Sequence, residues 1–239
     1  MGKKFCQFVF LVFFLACQRA QENLSLKSRA VVFCLHDIGS TGEYALSEEQ
    51  FLDFLKLLQP YPVLSLRDWK NELKSENPLP QAVVLTFDDG YPSLLSQVVP
   101  RLLFFGYGAT FYIYLNRHSD HSSFYRSLSQ LGDRFELGSH SLSHGELKDF
   151  NEKKFFKEIY HSRLKLAYLT GKKVESFAWP YGSFDPTYAN LPRQAGYETQ
   201  VSTEKRLAHK KDLDHIVPRF TLRRAHALEE AKAALKLLE

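Results

Sequence analysis

Two adjacent acids, Asp88 and Asp89, and two histidines four positions apart, His140 and His144, are the residues of this sequence best suited to chemistry. Imidazole and carboxylate donors together suit Zn²⁺, and three protein ligands leave a coordination position open for water. Neighbouring carboxylates at the end of a strand point in different directions, so one can bind a metal while the other handles protons. Water held by such a metal is far more acidic than bulk water and attacks carbonyls at neutral pH. Those parts suffice to hydrolyse an amide or an ester. Each piece also has an ordinary structural counterpart. Asp88-Asp89-Gly90 alone is a common turn, His140 and His144 alone a surface or capping pair, and Pro180-Tyr181-Gly182 alone another turn. Their joint placement at successive strand ends carries the chemical reading.

The elements that must position them alternate. Segments 30–35, 62–66, 82–87, 109–114, 135–137, 176–179 and 198–202 read as strands, several of them the continuous β-branched and aromatic runs of strands buried on both faces. Amphipathic stretches lie between them. Phe51, Phe54, Leu55 and Leu58 have helical spacing, as do Leu95, Val98, Val99 and Leu102, with Pro100 predicted to kink that helix or restart it. Phe156, Tyr160, Leu164 and Ala167 line one stripe of a longer helix over 152–169, which Gly171 ends, and a last helix covers about 225–238. Repeated β-then-α alternation implies a parallel sheet, and its length suits a barrel as well as an open sheet. In either, functional groups collect at the C-terminal strand ends. Those ends carry His36-Asp37, Asp88-Asp89-Gly90, the run from Gly138 to His144, and Pro180-Tyr181-Gly182.

The chain has 239 residues, 44% of them hydrophobic and 24% charged, a globular balance. Its first residues follow other rules. Lys3 and Lys4 precede an apolar stretch over 5–16, and 1–17 reads as an export signal followed by a connector, 18–28, and one domain, 29–239. Ala16-Cys17 resembles a bacterial lipoprotein processing site, with Phe14 where such sites usually have Leu; ordinary secretory cleavage and an uncleaved anchor are the alternatives. The expected location is the bacterial cell envelope, periplasmic or lipid-anchored, or the medium. Cys34 is then the single cysteine of the domain, read as a small buried hydrophobe. Without the signal's two lysines the formal charge falls from +4 to +2, which gives no support to nucleic-acid binding.

Thr86-Phe87-Asp88-Asp89-Gly90, then His140-Ser141-Leu142-Ser143-His144, then Trp179-Pro180-Tyr181-Gly182 resemble, in order and spacing, three motifs of the polysaccharide deacetylases, carbohydrate esterase family 4. The resemblance extends over about 30–219. It implies an α/β fold, a distorted (β/α) barrel of about seven strands forming a single catalytic domain. It makes Asp89, His140 and His144 the ligands of a divalent metal, Zn²⁺ first, with Co²⁺, Ni²⁺ and Fe²⁺ able to take the same donors. Asp88 becomes the general base for the attacking water, and the backbone N–H of Tyr181 a donor to the oxyanion.

Two departures are instructive. The C-terminal Leu-x-His motif that supplies the family's general acid has no convincing copy, since His209, His215 and His226 lie in other surroundings. Instead Phe33-Cys34-Leu35-His36-Asp37-Ile38 resembles the N-terminal motif of a circularly permuted subgroup that includes deacetylases of poly-β-1,6-N-acetylglucosamine, which makes His36 the acid. Ala178 stands near the place of the arginine that commonly pairs with the base, and the subgroup shares that lack. Arg219 could supply a replacement charge, although a surface arginine is the favoured reading. Tyr91, Trp179 and Tyr181 are candidate sugar contacts, with the Trp179 ring favoured as core. The implied reaction is metal-dependent hydrolysis of N-acetyl groups on an N-acetylglucosamine-containing polysaccharide by a monomer, with membrane contact through a lipid anchor only. An acetyl-ester or small-amide hydrolase, or a non-catalytic glycan-binding relative, are the rival readings.

Overall fold

The computed structural model describes residues 28–239 apart from 119–121, 147–149 and 185. The export signal and nearly all of the connector lie outside the described residues. Among the described residues no helix is long and apolar enough to cross a membrane.

All seven expected strands are present: β1 (Arg29–Leu35), β2 (Val63–Leu64), β3 (Gln81–Phe87), β4 (Ala109–Ile113), β5 (Phe135–Ser139), β6 (Ser176–Ala178) and β7 (Thr199–Val201). Two further strands, β8 (Ala208–His209) and β9 (Phe220–Thr221), are two residues each and too short to show alternation in sequence. The sheet runs β7-β6-β5-β4-β3-β1-β8, with β2 also on β3 and β9 also on β1. Every pairing is parallel except β1 with β8. The sheet curls into a half-barrel, and the chain forms a single domain.

The continuous apolar runs of β1 and β3 are explained by burial on both sides. Val31, Phe33, Leu35, Val83, Leu85 and Phe87 face the larger core beneath the helices. Ala30, Val32, Ala82 and Val84 face a second cluster, closed by Leu66, Trp69 and Leu73. A strand pair so placed has no polar face to alternate with.

The helices are α1 (Glu48–Leu57), α2 (Leu66–Glu72), α3 (Val99–Phe105), α4 (Ser122–Ser129), α5 (Glu152–Thr170), the single turn α6 (Leu191–Gln194) and α7 (Ala227–Leu235). Helix α1 starts on a reciprocal cap: Ser47 Oγ accepts from Gln50 N–H at 3.1 Å, and Gln50 Oε1 accepts from Ser47 N–H at 2.9 Å. Pro100 marks a restart rather than a bend. A π-helical turn over Leu94–Val98 gives way to α3, with the proline in its first turn, where a missing N–H costs nothing. Helix α5 starts on the Asn151 side chain and ends at Gly171, whose φ of 65° is left-handed.

One expectation reverses. The buried face of α5 is Phe155, Ile159, Ser162, Leu166 and Thr170, whereas Tyr160 and Leu164 face outward. The helix carries two apolar stripes at compatible spacing, and periodicity alone does not say which one meets the sheet. A serine and a threonine lie on the buried face because each finds a backbone acceptor, Ile159 O and Leu166 O.

Register then sets the site. Leu35 lies beside Phe87, and Asp88 N–H donates to Leu35 O at 2.9 Å, so His36 and Asp88 leave the sheet side by side. Ile113 lies beside Ser139, with His140 N–H donating to Ile113 O at 2.9 Å. Ser139 in turn lies beside Phe177.

Candidate active site

The strand ends open into a cavity of about 620 Å³ whose walls include His36, Asp88, Asp89, His140, His144 and Tyr181. Among the described residues four non-glycines have a left-handed backbone: Asp89 (φ 74°), Ser141 (73°), His144 (58°) and Tyr181 (59°). All four belong to the motifs read from the sequence. Such conformations cost about 1–3 kcal/mol each and persist only where surrounding structure enforces them.

At the end of β3, Asp89 and Gly90 are left-handed in succession, and the two neighbouring carboxylates both come within 4 Å of His140 Nε2, Asp88 Oδ2 at 3.8 Å and Asp89 Oδ1 at 3.6 Å. A side chain at residue 90 would meet Ile113 Cδ1 at 2.9 Å, so glycine is required on both counts. The other tight turn repeats the device with Tyr181 and Gly182, where an added Cβ would fall 1.9 Å from Thr203 Oγ1.

Asp89 Oδ1 lies 3.6 Å from His140 Nε2 and 3.3 Å from His144 Nε2, and the two imidazole nitrogens are 3.1 Å apart. Tetrahedral ligation with bonds of about 2.0–2.1 Å needs donors about 3.3–3.4 Å apart, so the three atoms fit a small divalent cation. Asp89 Oδ1 is buried without a hydrogen-bond partner among the described residues, a cost that a cation would remove. Asp89, His140 and His144 are therefore the residues that could hold the metal. The His140 ring is oriented by Nδ1, which donates to Ala178 O at 2.8 Å and leaves Nε2 its lone pair. Glu158 on α5 fixes the loop from behind, accepting from Leu142 N–H, Ser143 N–H and the Ser143 hydroxyl. Nothing in the sequence separates Glu158 from the other charges of that helix.

Burial lowers the His140 pKa to about 4, against the partial opposition of Asp88 and Asp89. Neutral imidazole is the ligating form, so the ring is ready for a metal at neutral pH. The same shift has a consequence for the metal-free protein. An unfolded histidine takes up a proton near pH 6.5, whereas the folded ring refuses it until about pH 4. Stability is then full above about pH 6.5 and falls as pH drops toward 4, by up to about 3 kcal/mol. Urea titrations of metal-free protein at about pH 7 and about pH 4.5 are expected to show this decline, and His140→Phe to flatten it.

Asp88 is 3% exposed and has a different principal partner. Arg219, which is fully buried, grips it as a fork, Nη1 to Oδ1 and Nη2 to Oδ2, both at 2.7 Å. The guanidinium is itself fixed, Nε donating to Ser202 O at 2.8 Å and Nη1 to Thr86 Oγ1 at 3.0 Å. The expectation of a surface arginine at 219 is thus overturned: β9 lies on β1, and residue 219 just before it points inward. Burial pushes the Asp88 carboxyl up, but Arg219, with His140 and His36, outweighs burial and holds it well below the usual carboxylate range. Cys34 is buried as expected, yet it is more than filler, because its thiol donates to Asp88 Oδ2 at 3.3 Å.

Cys34, His36 and Asp88 also stand close enough to suggest a second cation site. Their environment argues against one. Both Asp88 oxygens are occupied by the guanidinium, whose charge would repel a metal, and burial first among its causes raises the Cys34 pKa well above the ordinary thiol value. His36 lines the cavity with a buried Nδ1 that has no partner among the described residues. Burial lowers its pKa, while Asp88 and Asp89 pull the other way.

Of the candidate sugar contacts, Tyr91 and Tyr181 line the cavity, and the Tyr181 ring is 61% exposed. Trp179 does not reach it. Its ring is fully buried between Phe155 and Phe177, and Nε1 donates to Gln200 Oε1 at 2.9 Å, which corrects its assignment as a substrate contact. Sequence reasoning missed Tyr44, an exposed cavity wall whose ring centre is 5.3 Å from that of His36. It also missed Arg117, which lies over the Tyr91 ring with Nη2 3.7 Å from Asp89 Oδ2.

Comparison with known proteins finds likenesses of sequence and of fold. The sequence profile of the family described as polysaccharide deacetylase matches residues 75–200, more than half of the chain. The Bacillus subtilis protein YxkH, whose name carries the same words, is 21% identical over 178 residues. That match takes in 72% of this chain and 64% of YxkH, so the chain spans less than two thirds of that relative. Among solved structures, the Streptococcus pyogenes deacetylase PplD in complex with acetate superposes with a TM-score of 0.75 at 17% identity, over 88% of this chain and 98% of its own. IcaB from Ammonifex degensii superposes with a TM-score of 0.71 at 20% identity, over 87% and 97% respectively. At such identities these two likenesses concern the fold.

Proposed function

We propose that this chain, which belongs to the polysaccharide deacetylase family, hydrolyses the N-acetyl groups of an N-acetylglucosamine-containing polysaccharide with the help of a divalent metal. The observation that carries the reading is one cavity holding two carboxylates with separate tasks. Asp89 faces two imidazoles at ligand spacing, while Asp88, next in sequence, is kept ionised by Arg219. A glycan-binding module has no use for that division of labour.

A divalent cation held by Asp89, His140 and His144 would supply Lewis acidity, polarising the acetamide carbonyl and making water acidic enough for a weak base to deprotonate. Asp88 accepts that proton as water adds to the carbonyl carbon. The Tyr181 N–H, in a backbone conformation fixed by Gly182, stabilises the oxygen on which negative charge develops. The proton that Asp88 accepted passes to His36, which delivers it to the departing nitrogen as the C–N bond breaks, giving acetate and a free amine. Tyr44, Tyr91 and Tyr181 offer ring faces for sugar stacking. We also assign the protein, as a monomer, to the bacterial cell envelope, on the positive head and apolar stretch that precede Cys17.

The test is acetate release from β-1,4- and β-1,6-linked N-acetylglucosamine oligomers by metal-loaded and by chelator-stripped protein. Release that requires metal supports the reading, and the preferred linkage identifies the polymer class. Metal binding without release from either oligomer would overturn the substrate assignment.

A further inference from the structure

Helix α5 has an outer face for which deacetylation has no use. Opposite its buried residues stand Tyr160, Leu164 and Tyr168, one helical turn apart and 36%, 45% and 87% exposed. Three large, largely apolar side chains in a row on an exposed helix face form a contiguous patch of the kind that marks an interaction surface. Lys153, Lys154, Lys157 and Lys165, all exposed, share that side of the helix.

The charge is concentrated there. Of the seven Lys and Arg in residues 152–173, Arg163 donates to Val174 O, Lys172 to Leu131 O, and Lys173 pairs with Glu175, which leaves the four exposed lysines of the helix for the outer face. Glu158 is turned to the loop that carries His144, where it binds Leu142 and Ser143. Glu152 sits at the helix start, so neither acid of α5 is engaged beside the Tyr-Leu-Tyr ridge, while four of its lysines are exposed. A helix of this kind suits the boundary of a bilayer. Tyrosine and leucine enter the headgroup layer, and lysines reach lipid phosphates with their charged ends. A second copy of the chain is a poor occupant, because symmetric pairing would set lysines against lysines. A neutral glycan would leave the lysines without a task.

We propose that the outer face of α5 docks the protein on an anionic lipid surface, with Tyr160, Leu164 and Tyr168 entering the headgroup layer and Lys153, Lys157 and Lys165 meeting lipid phosphates. This contact is separate from any lipid anchor at the N-terminus and would hold the domain in a fixed orientation over the membrane.

The experiment is sedimentation of the full chain with vesicles of phosphatidylcholine alone and of equal parts phosphatidylcholine and phosphatidylglycerol. Residues 1–27 are the same in wild type and variants, so the difference between proteins isolates α5. Wild type is expected to prefer the anionic vesicles, and added salt to weaken that preference. Each lysine near such a surface contributes about fivefold, so Lys153→Gln/Lys157→Gln/Lys165→Gln should lose about a hundredfold in affinity. Tyr168→Ser, at a position where folding is indifferent, should weaken binding to both vesicles. Acetate release from soluble oligomers should be unchanged in every variant. Equal binding to both vesicles by wild type, or an anionic preference that survives the triple substitution, overturns the proposal. So does lysine-dependent self-association, or retention on an acidic polysaccharide, in place of a vesicle preference.

Discussion

Asp88→Asn is expected to lower acetate release by about 10²–10⁴-fold while leaving metal binding stoichiometric. The two readouts separate because Asp89 faces both imidazoles at ligand spacing, whereas both Asp88 oxygens are held by Arg219. Asp89, His140 and His144 keep their positions, so competition with a chromogenic chelator should still report one metal per chain. The amide introduced by the substitution can keep one hydrogen bond to Arg219 but cannot accept a proton. Parallel loss of activity and metal would show instead that Asp88 belongs to the ligand set. Undiminished activity would remove Asp88 from the proton pathway altogether.

Arg219→Met is expected to destabilise the protein by about 3–5 kcal/mol, a large share of the stability of an ordinary domain. The substitution removes one partner of a fully desolvated pair and leaves the Asp88 carboxylate, the Ser202 carbonyl and the Thr86 hydroxyl short of a donor. A chemical denaturation curve checks the size. The double variant Asp88→Asn/Arg219→Met should lose less than the sum of the single losses, since it no longer buries an unpaired charge. The pH dependence has a definite sign. In wild type the depressed pKa of Asp88 contributes stability above the unfolded value of about 3.9, lost as pH falls through the folded value. Without Arg219, burial favours the neutral acid, so the acidic limb of activity should move to higher pH. Arg219→Lys restores a charge but not the fork, and is expected to recover only part of either loss.

The chemistry of the site was more legible in sequence than its support. Asp88, Asp89, His140 and His144 announce themselves because they fall together at successive strand ends, although each piece alone is ordinary. The strands were legible because burial on both faces leaves continuous apolar runs. Arg219 was not, since a lone arginine in Val217-Pro218-Arg219-Phe220 looks the same whether it meets water or a carboxylate. Its burial follows from the pairing of Phe220 with Phe33 and of Thr221 with Cys34, a contact between distant parts of the chain. Trp179 was ambiguous for a related reason: it adjoins the Pro180-Tyr181-Gly182 turn, but β6 directs its ring into the core. The face of α5 was misread because Phe156-Tyr160-Leu164 and Phe155-Ile159-Leu166 are both good helical stripes. Only contact with the sheet chooses between them.

Parallel order gives the Asp88–Arg219 pair a consequence in time. Asp88 comes from the end of the third strand and Arg219 from the approach to the last, 131 positions apart in sequence. While a ribosome is still extending the chain, the first strands can assemble, but the carboxylate they would bury has no counter-charge. The growing protein therefore gains nothing by closing its centre early. The final stretch supplies that counter-charge and also brings the Leu238 carbonyl to the Arg29 guanidinium. A chain cut short before residue 219 is expected to retain Asp89, His140 and His144 but to leave Asp88 without its counter-charge.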